Sequence, residues 1–200
     1  MSVLLIAAAA ALSAPSAKTA MPEYPVWAAR KDRSAGIIYE LVVDPQGKPI
    51  RCDTLRFAGD EKLALAICPL LIRTRYRPAT LADGTPATGL IRSFIYLVLD
   101  GSAQANAIRA LQVDPDVILN VNHLPDGTQS LDADLVLQID KTGGVVDCAA
   151  GAKQAPGPII DAVCANREVL TQPPRQDAQG NPLEYVTNLK VRLVAASASS

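Results

Sequence analysis

The chain has 200 residues, 49% of them hydrophobic, which suits one large or two small domains with real cores. Lys and Arg total 19 against 20 Asp and Glu, a net charge of -1, so the composition excludes an electrostatic nucleic-acid partner. Aromatic residues make up only 4%, too few for a platform that stacks bases or sugars.

Val3 to Leu12 is an unbroken apolar run, VLLIAAAAAL, followed by the small residues Ser13 to Ala17 and then Lys18. A short apolar core before small residues predicts a secretory signal peptide over 1–20, cleaved between Ala14 and Ala20. The alternative is an uncleaved membrane anchor, which needs roughly 20 predominantly apolar residues.

Met21 to Arg30 suits a brief helix after Pro25 that lays Trp27 on a core. Ile37 to Asp44 alternates as a strand, with Ile37, Tyr39, Leu41 and Val43 on one face. Asp44-Pro45-Gln46-Gly47 is a hairpin turn, and Pro49 to Phe57 returns antiparallel. Asp60 can cap a helix that runs to Thr74, with Leu63, Ala66, Ile67, Leu70 and Leu71 at helical spacing. Arg73, Arg75 and Arg77 read as a solvated extended segment. Gly89 to Leu99 is a last strand, and Asp100-Gly101-Ser102 opens a linker over 100–112.

Beyond the linker the pattern is written again. Cys52 and Cys148 stand 96 positions apart, as do Cys68 and Cys164. The same shift carries Leu41 onto Leu137, Ala66 onto Ala162, Pro78 onto Pro174, Gly84 onto Gly180 and Leu97-Val98 onto Leu193-Val194. Leu131 to Ile139, Val145 to Ala150, Pro158 to Val169 and Tyr185 to Val194 repeat strand, strand, helix and strand. A tandem duplication follows, with copies over 21–99 and 113–195 and a disordered tail over 196–200. Each copy is expected to be an α+β unit, a three-stranded antiparallel sheet with helices on one face.

The duplication also selects a cysteine pairing, Cys52–Cys68 and Cys148–Cys164, because each copy should carry its own bond. A four-thiolate zinc site, the alternative, favours closely paired ligands, and here no two cysteines lie closer than 16 positions. The only histidine, His123, sits in a turn-like stretch before Pro125-Asp126-Gly127. No phosphate loop, Ser/His/Asp order or carboxylate pair recurs between the copies, so no catalytic, cofactor-binding or metal residue is expected.

Tyr24-Pro25, Ala29-Arg30, Gly36, Asp44 to Gly47, Gly59, Leu63 to Ala66, Arg75-Tyr76-Arg77-Pro78-Ala79 and Asp83-Gly84-Thr85-Pro86 follow one another in an order that resembles the C-terminal domain of TonB-type energy transducers. Tyr76 stands where that family has Phe, and the cysteine pair looks like a variant feature. The resemblance covers Met21 to Leu99; it reaches the second copy only through the repeat. It implies a periplasmic protein-binding module of the outer-membrane transport system that holds an envelope protein or a receptor peptide by strand addition. The family's transducers carry an anchor and a proline-rich spacer, and here the chain goes from the expected signal peptide to Pro25 directly, so the expected role is binding rather than force transduction or catalysis. An anchored energy transducer and a structural, peptidoglycan-associated protein are the alternatives.

Strand addition in that family uses the last strand. In Gly89 to Leu99 the core face is assigned to Ile91, Ser93, Ile95 and Leu97, because Leu189, Val191 and Leu193 occupy the later places in the second copy. Arg92, Phe94 and Tyr96 are then the expected peptide-binding edge. Their counterparts Asn188, Lys190 and Arg192 make a more polar edge.

Overall fold

The computed structural model describes residues 11–18, 22–151, 157–177 and 179–196. The expected leader lies outside the described residues at 1–10 and 19–20, as does the expected tail at 197–200. In chain order the elements are β1 (Ser16–Ala17), α1 (Val26–Ala29), β2 (Ala35–Val43), β3 (Pro49–Gly59), α2 (Glu61–Arg73), β4 (Tyr76–Arg77), β5 (Ala79–Thr80), β6 (Pro86–Ala87), β7 (Gly89–Leu97), α3 (Ala105–Arg109), β8 (Val117–Val121), β9 (Ser130–Ile139), β10 (Val145–Ala150), α4 (Gly157–Ala165), β11 (Arg175–Gln176), β12 (Pro182–Leu183) and β13 (Tyr185–Ala195). Short 3₁₀ turns occupy Pro125–Gly127 and Arg167–Leu170. The chain is mixed α+β.

Local chemistry repeats between the halves. Asp44 Oδ1 accepts from the amides of Gln46 at 2.9 Å and Lys48 at 2.8 Å; Asp140 Oδ1 accepts from those of Thr142 at 2.7 Å and Gly144 at 2.9 Å. Gly47 and Gly143 take φ of 77° and 93°, where side chains are disfavoured. A Cβ on either would also strike a carbonyl, that of Tyr76 or of Gln172. Asp60 caps α2 by accepting from the Leu63 amide at 2.9 Å. Pro69 lies inside α2 but on its exposed side.

Disulfides join Cys52 to Cys68 and Cys148 to Cys164, with Cα–Cα distances of 5.6 and 5.5 Å. Each ties the outermost strand of its half, β3 or β10, to the helix that follows. In the chain-entropy account, closing a loop of this size contributes about 3 kcal/mol. Both bonds are compatible with an oxidising compartment. No helix among the described residues is long and apolar enough to cross a membrane.

The sequence leads one to expect two separate sheets, but the strands of both halves run into one seven-stranded sheet. Its order is β10-β9-β13-β7-β2-β3, with β8 also pairing β13. The halves meet where β13 and β7 run parallel, Val186 opposite Gly89 and Thr187 opposite Leu90. Val42, Leu90, Thr187 and Leu137 share one face by register. Val42, Leu90 and Leu137 belong to the core that includes Ile160 and Val163 of α4. Leu41 and Val43, on the other face, belong to the core that includes Leu63, Ile67 and Leu71 of α2. The two helices therefore lie on opposite faces of the shared sheet. Parallel inner strands with opposite helix faces are what a two-fold axis along the strands produces.

That arrangement explains why every residue of β2 is buried. Its second face, which includes Gly36, Ile38, Glu40 and Val42, is covered rather than solvated. Ile108 of α3 lies 2.8 Å from where a Cβ on Gly36 would stand. Arg175, at the start of β11, reaches across to Glu40, with Nη2 2.7 Å from Oε2. The expected linker at 100–112 thus includes a five-residue helix with a fully buried Ile108.

Residues 11–18 also pack on the fold. Ser13 exchanges backbone hydrogen bonds with Thr80 at 2.9 and 3.0 Å, and β1 pairs with β4. Leu12 is 6% exposed, in a cluster with Ala79, Val136 and Val186. Pro15 is buried against Gly89, whose missing Cβ leaves room for the ring. Arg73, Arg75 and Arg77 are exposed.

Candidate functional site

The strand expected to carry the binding edge, β7, pairs with β2 along its whole length. On its other side it meets β13 only at Gly89 and Leu90. From Ile91 onward the two parallel strands diverge, and β13 instead pairs with β8 from Val191 to Ala195. Among the described residues, no strand pairs with the Ile91–Leu97 edge of β7. A row of backbone groups in that condition is a template for another strand.

The gap is a cleft of about 320 Å³. Phe94 and Tyr96 form one wall, with ring centroids 5.7 Å apart, and they are 39% and 40% exposed. Ile95 and Leu97, at alternate positions, are buried in the α2 core, so the pleat directs the two rings away from it. Lys190 and Arg192 of β13 form the opposite wall, and Leu111, Val113 and Pro115 line the cleft from the segment after α3.

Asp116 organises a smaller cavity nearer the start of β7, which Ile91, Arg92 and Ser93 also line. Its backbone N–H donates to the Lys190 carbonyl and its Oδ2 accepts from the Lys190 amide, both at 2.8 Å. Its Oδ1 accepts from Arg92 Nη1 at 2.8 Å. One residue thus satisfies the β13 backbone and pins Arg92 across the gap. Arg56 holds the preceding loop, donating to the Gln112 carbonyl at 2.9 Å. Arg192 donates to both Asp132 oxygens, at 2.6 and 2.8 Å, and these bonds raise the guanidinium pKa above its ordinary value.

The structure therefore places Arg92, Phe94 and Tyr96 on one strand, with the two rings open to the cleft and Arg92 committed to Asp116 at a smaller cavity beside it. The four cysteines lie elsewhere, where the outer strands β3 and β10 meet α2 and α4. Sequence reasoning did not single out Asp116, and the preceding residues Asp114 and Pro115 signal only a turn. Among the described residues, no group of three or more His, Cys, Asp or Glu side chains could hold a metal ion. The cleft offers backbone donors and acceptors, two ring faces and side chains of both charges, with Asp132 and Asp134 beside Lys190 and Arg192, which suits recognition of an extended peptide. No family model, no curated protein and no solved structure matches the chain.

Proposed function

We propose that this chain is an exported, non-catalytic protein-binding module of the cell envelope, which takes an extended peptide as an added strand along Ile91–Leu97. The reading follows the resemblance to TonB C-terminal domains, in which receptor peptides are held in this way, and it places the chain in the periplasm. The observation that carries it is the unpaired edge of β7 beside the exposed, stacked Phe94 and Tyr96. Backbone hydrogen bonds along β7 supply affinity, and alternate side chains of the peptide meet the two rings and supply selectivity. Aromatic anchors of this kind dominate many protein interfaces.

Peptides selected against the folded chain from a displayed library of extended sequences test the reading. Phe94→Ala and Tyr96→Ala should each weaken the selected peptides by at least about tenfold, or 1.4 kcal/mol. Ile50→Ala, at an exposed position on the outer strand β3, should leave affinity unchanged. Peptides that bind all three variants as tightly as the parent would place binding elsewhere.

A further inference from the structure

Residues 11–18 fall in the stretch that the sequence assigns to a leader, yet they are built into the fold. Ser13 exchanges backbone hydrogen bonds with Thr80 at 2.9 and 3.0 Å, and the Lys18 amide donates to the Arg75 carbonyl at 2.9 Å. Between them Ser16 and Ala17 pair with Arg77 and Tyr76. Side chains join in, with Ser13 Oγ 2.6 Å from Thr80 Oγ1. Leu12 clusters with Ala79 and Val186, which are fully buried. A cut between Ala14 and Ala20 would remove Leu12 and Ser13, uncover that cluster and unpair Thr80. Exposing apolar surface and breaking backbone hydrogen bonds both cost stability.

The 96-residue register extends into this stretch. Ala11, Leu12 and Ala14 correspond to Ala107, Ile108 and Ala110, in and just after α3. Ile108 packs beside Gly36, whose neighbour Ile37 belongs to the α2 core, so it covers the face of the first half that α2 leaves open. Leu12 packs with Val136, which stands between Leu135 and Leu137 of the α4 core, so it covers the face of the second half that α4 leaves open. The lead-in of each copy closes the back of the other. The second lead-in is internal to the chain, whereas the first survives only if processing spares it.

The sequence contains a cut that spares it. Leader cleavage favours small residues in an Ala-x-Ala-like pattern. Ala14, Ala17 and Ala20 stand three positions apart, so no two of them make that pattern. The alanine run Ala7 to Ala11 makes it repeatedly, last at Ala9-Ala10-Ala11 and directly ahead of Leu12.

We propose that the leader is cut after Ala9, Ala10 or Ala11, and that the mature chain keeps Leu12 to Lys18 as the segment that seals the back of the second half. The proposal takes only export from the reading above; strand addition at β7 stands or falls separately.

The unaltered chain, expressed with its own N-terminus in a bacterium that has a periplasm, is recovered from the periplasmic and membrane fractions and its intact mass measured. The expected first residue is Ala10, Ala11 or Leu12. Any other N-terminus, or an uncut chain, would overturn the proposal. Occupancy is read in the exported double variant Ser13→Cys, Thr80→Cys, because these two side chains already touch. Peptide mapping under non-reducing conditions should show the new pair linked beside Cys52–Cys68 and Cys148–Cys164. Two free new thiols in a chain with both native bonds intact would mean that the segment leaves its place, and would overturn the proposal as well.

Discussion

Where Glu40 meets Arg175 on one face of the sheet, Val136 meets Ala79 on the other, and the 96-residue register makes the two pairs equivalent. Both seams arise because a small hairpin of each half, β5–β6 or β11–β12, lies against the strands of its neighbour. One seam is ionic and closes itself. Glu40 is 4% exposed, Arg175 contacts it at 2.7 Å and Arg51 adds a second contact at 3.5 Å. The other seam is apolar, and Leu12 from outside the repeat completes it. The difference teaches that duplication fixes where the halves touch but not what chemistry fills the contact. A buried ion pair is weak evidence of stability, but it penalises any docking that leaves Glu40 unpaired.

The largest effect should come from breaking the ionic seam. Arg175→Ala leaves a buried carboxylate with only Arg51 and should cost about 3 kcal/mol, the low end for a broken buried pair. Glu40→Val combined with Arg175→Ala writes the residues of the other seam into this one and should recover most of that loss. Denaturant unfolding measures both, and a double variant no more stable than the single one would break the equivalence.

A smaller loss is expected in the apolar seam. Leu12→Ala should cost about 2 kcal/mol, the lower range for a buried leucine, in protein whose intact mass shows that residues 11–18 are present. A retained segment whose Leu12 can be truncated at no cost in Tm would mean that it does not close the seam.

The mildest test uses alkaline pH. Burial, and then the charge of Tyr39, pushes the Tyr76 hydroxyl from its ordinary 10.0 up to about 12, and burial raises Tyr39 as well. A folded pKa raised above the unfolded one contributes stability that is fully present below about pH 10 and lost as pH rises through about 12. The second half has Leu135 and Gln172 at these places. Burial also raises Tyr185 in β13, so tyrosinate absorbance and circular dichroism should show the buried tyrosines ionise together with loss of structure above about pH 10. Tyr76→Phe should move the alkaline midpoint upward.

Much of this was legible in the sequence because it is local. The Asx turns at Asp44 and Asp140, the Asp60 cap and the alternation of β2 and β9 need only neighbouring residues. The cysteine pairing needed only the repeat. Alternation says which side chains share a face, but not which face of a joined sheet they occupy, so the opposite placement of α2 and α4 could not be read. Nothing next to Glu40 in the sequence marks it as a buried partner, because Arg175 lies 135 positions away. Ile108 sits in a helix too short to leave a periodic signal. Arg92, Phe94 and Tyr96 were legible as one face of β7. The divergence of β7 from β13 that opens the cleft depends on Asp116 and β8, and no pattern announced it.

Amide hydrogen exchange along β7 tests the central claim most directly. On addition of a selected peptide, amides between Ile91 and Leu97 whose N–H groups point into the gap should slow, while those already bonded to β2 change little. Protection that instead appears along the outer strands β3 or β10, with β7 unchanged, would contradict strand addition at this edge.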